Sequence, residues 1–242
     1  MGLRPELVGR LLETLLKLAS SREAVSIGEL AENALLSRDQ VGEILKVLGI
    51  PPRDIRLDEG LRSEIVLRGL ELGVDGSLIA RYLSWREFER LAARVLEKAG
   101  YGSVWNLRIA SREGRVQVDV LAYRGDLMLL IDCKRWNKPL TPSAEARIAE
   151  EQERRLRILG KLLRETSEAG EDFRVVYLVP AVLSLYRPSK PLLRGHVFSS
   201  IGSFGSALGY IERAFFQLRH EKLRLRRGIP LDKLISRLRA EF

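Results

Sequence analysis

The chain has 242 residues, 45% of them hydrophobic, and a formal net charge of +9. That length accommodates one large or two small domains, and the apolar fraction is enough for a real core, so the chain reads as a folded, soluble protein. No apolar run is long enough to span a bilayer, the N-terminus lacks the layout of a signal peptide, and the lone Cys133 can form no internal disulfide, which excludes a membrane partner and points to the cytoplasm.

The charge is unevenly spread. Residues 1–84 hold 11 Lys and Arg against 13 Asp and Glu, whereas residues 85–242 hold 30 against 19. A polyanionic partner would meet the second part. Asn, Gln and Met are scarce beside abundant Arg and Glu, a composition expected of a thermophilic source. His196 and His220 lie far from Cys133 in sequence, which gives a zinc site little support.

In chain order, Leu7, Leu11, Leu12, Leu15, Leu16 and Leu18 fall at helical spacing and predict an amphipathic first helix. Ser26-Ile27-Gly28-Glu29 and Ser37-Arg38-Asp39-Gln40 read as two capping boxes, each opening a short helix. Residues 26–49 resemble the helix-turn-helix of winged-helix domains, with Arg38 to Leu48 in the recognition position, and the resemblance implies DNA contacts from Arg38 and Lys46. Asp39 and Glu43 stand beside them, so DNA reading and a dimerising or regulatory role, with a homodimer as partner, both stay open. Pro51-Pro52 closes this helical domain, 1–58, and residues 59–84 read as a helical connector broken at Gly73 and Gly76.

Ser84-Trp85-Arg86-Glu87 is a third capping box and opens a helix that carries Glu89 and ends at Gly100. Residues 103–110 alternate as a strand, with a turn over 112–114. The stretch from Val116 to Lys134 then reads as a hairpin around Gly125-Asp126, the glycine supplying a positive φ. A two-residue loop there sets Asp119 opposite Asp132 and Gln117 opposite Lys134, all four on one face. Two opposed acids in so apolar a run cost stability, and a divalent ion such as Mg²⁺, or Mn²⁺ in its place, would offset that cost. Lys134 adds a fixed cation beside them. The set suits phosphodiester hydrolysis, in which a metal and a cation stabilise charge on phosphate oxygens. A purely structural hairpin accounts for the valines and leucines but not for two acids and a lysine on one face.

Past Lys134, the basic and aromatic residues Arg135, Trp136 and Lys138 are candidates to hold phosphate or stack on a base. A long charged helix is expected from Pro142 or Ser143 to Ser167, strands over 173–180 and 196–199, and a turn and helix start over 202–209. Pro230 opens a last helix, and Arg219 to Arg227 reads as a phosphate contact or a solvated helix face. Together these elements give an α/β domain over 85–242, its mixed central sheet flanked by helices, behind a small all-α domain.

Asp119, the hairpin and Asp132-Cys133-Lys134 resemble the PD-(D/E)xK nuclease superfamily, and with Trp85 to Tyr101 and the following Arg135-Trp136 they look most like its Mrr-type restriction endonuclease branch. The resemblance covers about residues 85–210. It implies a metal-dependent DNA endonuclease with Asp119 and Asp132 as metal ligands, Glu89 joining them from the preceding helix, Lys134 as the cation and Gln152 as an orienting group. Val118 stands where the motif has proline, and the second acid is Asp rather than Glu. A Holliday-junction-resolvase-like nuclease and a non-catalytic DNA-binding protein on the same fold are the alternatives.

Overall fold

A computed structural model describes residues 3–53, 55–111, 114–168 and 170–240. The chain forms two compact units, Met1–Leu91 and Ala92–Phe242. The division falls inside a helix, a few residues beyond the boundary expected at residue 84.

The first unit holds α1 (Pro5–Ala19), α2 (Ile27–Ala34), α3 (Arg38–Val47), α4 (Glu59–Glu71), α5 (Gly76–Ala80) and the start of α6 (Trp85–Lys98). Each start is chemically marked. Ser26 accepts the Glu29 N–H, Ser37 and Gln40 form a reciprocal capping box, and Asp58 and Asp75 cap α4 and α5. Leu11, Leu12, Leu15 and Leu16 of α1 are fully buried. Residues 59–84 belong to this core rather than forming a separate connector, because a Cβ added at Gly69 of α4 would lie 2.6 Å from Leu12 Cδ1 and 2.8 Å from Ile79 Cδ1. Val25 and Ile55 form an isolated antiparallel bridge, and among the described residues no wing strand follows it.

The second unit is a mixed α/β domain. It runs β1 (Gly102–Ser111), β2 (Gly114–Arg124), β3 (Leu127–Lys134), α7 (Pro142–Ser167), β4 (Phe173–Ser184), β5 (Leu192–Leu193), β6 (His196–Ser200), α8 (Phe204–Ala214), β7 (Glu221–Arg226) and α9 (Leu231–Ala240). The sheet order is β1-β2-β3-β4-β6-β5, with β7 pairing β4. The first three strands are antiparallel, and α7 carries the chain from β3 to the parallel β4. Leu156, Leu159 and Leu163 of α7 and Leu231, Leu234 and Leu238 of α9 pack on the sheet over Leu121, Leu130, Leu178 and Leu223. The segment Arg219 to Arg227, read as a phosphate contact or a solvated helix face, is a strand over 221–226: Leu223 and Leu225 alternate inward while Lys222, Arg224 and Arg226 are exposed. The turn expected over 112–114 lies mostly outside the described residues.

The β2–β3 register follows from its turn. Gly125 has φ +58°, and Arg124 pairs Leu127, so every later pair is fixed, down to Val120 with Ile131. There the ladder stops. On the other side of β2 the alternation also breaks at the same level. Val104 and Leu107 of β1 pack into one core with Val118 and Leu121 of β2, although each pair is three residues apart and should straddle the sheet. Asn106, in the left-handed conformation at φ +51°, sits at the skip, opposite Asp119 in the β1–β2 register. The skip turns Gln117 out to solvent beside Arg108, between the buried Val116 and Val118. The expected Gln117–Lys134 pair is therefore absent.

Asn is one of few residues that adopt this backbone cheaply. Asn106→Gly should leave the melting midpoint nearly unchanged, whereas Asn106→Val should lower stability by roughly 1–2 kcal/mol. Equal stability of the Val and Gly variants in denaturant titrations would contradict this account of the skip.

Candidate active site

Asp119 and Asp132 are only 5% and 1% exposed, at the point where β2 and β3 part. With the ladder ended, Asp119 takes over its work: Oδ2 accepts the Cys133 backbone N–H at 2.8 Å. Asp132 and Lys134 instead continue in parallel register with Val182 and Ser184 of β4. Lys134 Nζ donates to Oδ1 of Asp132 at 2.8 Å and lies 2.7 Å from Oδ2. Arg155 of α7 adds a short ion pair from Nη1 to Oδ1 of Asp132, and its Nε is 3.4 Å from Glu151. Asp119, Asp132 and Lys134, read together from the sequence, thus form one cluster. Arg155 was not foreseen.

The electrostatics are asymmetric. Burial, then the neighbouring Asp132 charge, push the Asp119 carboxyl up to about 6 from its ordinary value near 3.8, with the Cys133 N–H, Lys134 and Arg155 acting in the opposite direction. The site holds two like charges and two cations at close quarters. Among the described residues no three His, Cys, Asp or Glu gather as a metal-ligand group. The donor set is two carboxylates, which fits a hard divalent ion that keeps several waters, as Mg²⁺ does.

Gln152 is fully buried on α7, and its Nε2 donates to the carbonyls of Leu130 at 3.1 Å and Ala181 at 2.9 Å. Gln152 thus ties α7 to neighbouring carbonyls of β3 and β4 at one level. Its Oε1 is buried with no partner among the described residues. Glu89 belongs to the first unit, where it is buried and accepts a short hydrogen bond from the Trp85 indole. Arg135 is half-buried, while Trp136 and Lys138 are exposed just past β3. Arg38 and Lys46 are exposed on α3 of the first unit. Cys133 is buried, as expected of a small core residue.

Residues 80–150 match the Mrr_cat family model, described as a restriction endonuclease. Glu89, Asp119, Asp132 and Lys134 all fall within that stretch, and Gln152 and Arg155 lie just beyond it. The match and the mixed sheet flanked by helices bear out, for this segment, the resemblance to Mrr-type nucleases and the restriction-endonuclease-like fold. No curated protein is significantly similar to the chain. The crystal structure of a protein of unknown function, AF1548, aligns at 19% identity over 42% of this chain and 47% of its own, with a TM-score of 0.30. The chain thus spans about half the length of that protein.

The raised Asp119 carboxyl has a signed consequence for the metal-free protein. A folded value above the unfolded one makes ionised Asp119 a destabilising group above about pH 6, and the penalty fades as pH falls towards 4. Asp119→Asn keeps an acceptor for the Cys133 N–H. In EDTA its melting midpoint should exceed the parent's at pH 8, with the gap narrowing through pH 5 and closing towards pH 4. A gap that does not vary with pH would remove the electrostatic explanation.

Removing Arg155 leaves the buried Asp132 with one cation fewer. Arg155→Met should lower metal-free stability by about 1–3 kcal/mol, as for other hydrogen bonds to charged groups. Chemical denaturation would measure the loss, and an unchanged midpoint would show that the ion pair does not hold the site.

Proposed function

We propose that the second unit is a divalent-metal-dependent DNA endonuclease serving restriction or DNA processing. The observation that carries this reading is the buried pair Asp119 and Asp132 with Lys134 Nζ 2.7–2.8 Å from Asp132, on a segment matched by a restriction endonuclease family model. A fold has no structural use for two opposed acids in an apolar sheet. Asp119 and Asp132 would hold the ion. When bound, Mg²⁺ or Mn²⁺ supplies Lewis-acid stabilisation of charge developing on phosphate oxygens.

The chain's own residues supply the rest. Lys134 is fixed on β3, so its ammonium stands beside the acids before substrate arrives and needs no reorganisation to meet a phosphate. Arg155 is a positioning residue, holding Asp132 in place from α7. Gln152 keeps β3 and β4 together under the site, a clamping role rather than contact with the reacting atoms. Arg135, Trp136 and Lys138 follow Lys134 directly and would hold the DNA backbone next to the scissile bond. Glu89 joins the ligand set by family resemblance alone. Arg38 and Lys46 leave the first unit with a DNA-contacting or a dimerising role.

Nicking of supercoiled plasmid should require Mg²⁺ or Mn²⁺ and stop in EDTA. Lys134→Ala should cost on the order of 10²–10³ in rate, as for loss of one preorganised charge-stabilising group, and Asp132→Asn should abolish cutting, while both variants still bind DNA and fold. Parental rates in both variants, or no cutting of any DNA form by the parent, would leave a DNA-binding protein on a nuclease fold.

A further inference from the structure

The outward face of β4 and β7 carries two rows of side chains set by register. Phe173 pairs Arg226, Val175 pairs Arg224 and Tyr177 pairs Lys222. Their neighbours along each strand, Val176, Leu178, Leu223 and Leu225, point the other way, into the core under α7 and α9. The result is a partly open sheet face with an aromatic row on β4 and a cationic row on β7. The rows lie about 4.8 Å apart, and successive cations about 7 Å apart, from ordinary strand geometry.

The aromatic row extends beyond the sheet. Tyr177 meets Phe215 and Phe216 at centroid distances of 4.9 and 5.6 Å, and Phe216 is 67% exposed. The Arg224 guanidinium carbon stands 3.6 Å from the Phe173 ring centroid, presenting a flat cation on top of a ring. Several cations of this unit are already paired: Arg154 with Glu151, Arg164 with Glu221, Arg194 with Glu150 and Arg219 with Glu153. Among the described residues Lys222, Arg224 and Arg226 make no ion pair. Asp172, at the rim, is 3.5 Å from Arg227.

We propose that this face binds a single-stranded stretch of nucleic acid. Unpaired bases would stack on Phe216, Tyr177 and the Arg224–Phe173 pair, with phosphates following Lys222, Arg224 and Arg226. Charge complementarity selects a polyanion, and half-exposed rings beside the cations select one whose bases are free to stack. A duplex offers phosphates but no open base faces. That the strand is DNA rests on the nuclease reading above; the stacking surface does not. The protein would then engage DNA that carries an unpaired segment.

The test is binding of the full chain, in EDTA so that no DNA is cut, to a labelled oligothymidylate of about twenty nucleotides, with a duplex of equal length and an oligouridylate alongside. Phe216→Ala and Arg224→Ala should each weaken oligothymidylate binding roughly tenfold, as loss of a stacking partner does. Duplex affinity should change less than about twofold, since the other phosphate contacts remain. Lys222→Ala should lower the salt slope by about 0.7, the value for one phosphate contact to a single strand. Ultraviolet cross-linking should mark the tryptic peptide spanning residues 214–219. All three exposed positions can be changed without touching the core, and matching melting curves would establish that. Equal binding by parent and variants, cross-links only outside that peptide, or a change in sedimentation of Phe216→Ala without a change in binding would overturn the proposal, the last making the face a protein contact. Tighter binding of oligouridylate than oligothymidylate would replace DNA with RNA and overturn the assignment. Plasmid nicking by the parent chain in Mg²⁺ is read separately, and its absence would sink the nuclease reading alone.

Discussion

Two carboxylates are kept side by side in a sheet interior, and much of the second unit's local irregularity follows from accommodating them. Opposed like charges across an antiparallel pair are unfavourable, and burial raises the cost by removing the water that would screen them. The sheet answers by ending the β2–β3 ladder at Val120 and Ile131 and letting the Asp119 carboxylate itself receive the next backbone N–H, that of Cys133. A left-handed Asn106 opposite Asp119 lets β1 and β2 change faces together at the same level. Asp132 is then balanced by two cations from different elements, Lys134 on its own strand and Arg155 on α7.

The helix that supplies Arg155 also secures the strands beneath. Gln152 and Arg155 are three residues apart on α7, the spacing that puts side chains on one helix face. One reaches the carbonyls of Leu130 and Ala181, the other reaches Asp132. The position of α7 along the sheet is thereby tied to the position of Asp132. A shift of the helix by one residue would lose the clamp and the ion pair together, which is how Asp132 on β3 and its cation on the following helix stay in register.

What could be read in advance divides by the range of the interaction that decides it. The hairpin register was legible because a two-residue turn leaves one pairing, and Asp119, Asp132 and Lys134 followed from it. Gln117 was misplaced because the face change at Asn106 depends on the opposite strand, which local alternation cannot report. Arg155 was hidden in Glu150-Glu151-Gln152-Glu153-Arg154-Arg155, where charges on every side of the helix give no clue to which one turns inward. Gln152 was found, but for a role in orienting reactants rather than for its bonds to two strands. β7 could have been found: Leu223 and Leu225 alternate with Lys222, Arg224 and Arg226 at the period of a strand, a signal that the count of arginines obscured.

Counting charge alone also misjudges where a polyanion would be held. Residues 85–242 hold 30 Lys and Arg against 19 acids, yet α7 spends three of its five arginines on Glu151, Asp132 and Glu221 and offers Glu150 and Glu153 to Arg194 and Arg219. Cations paired in this way contribute little potential beyond a Debye length of about 8 Å at physiological salt. The surplus is therefore concentrated where pairing is absent, and the outward row of β7 is such a place. A strand is well suited to this, because its alternation sends every second residue to solvent while the residues between them anchor it in the core. Leu223 and Leu225, packed under α7 and α9, are what keep Lys222, Arg224 and Arg226 in line. The positive edge of the domain is thus a consequence of its hydrophobic core, not an addition to it.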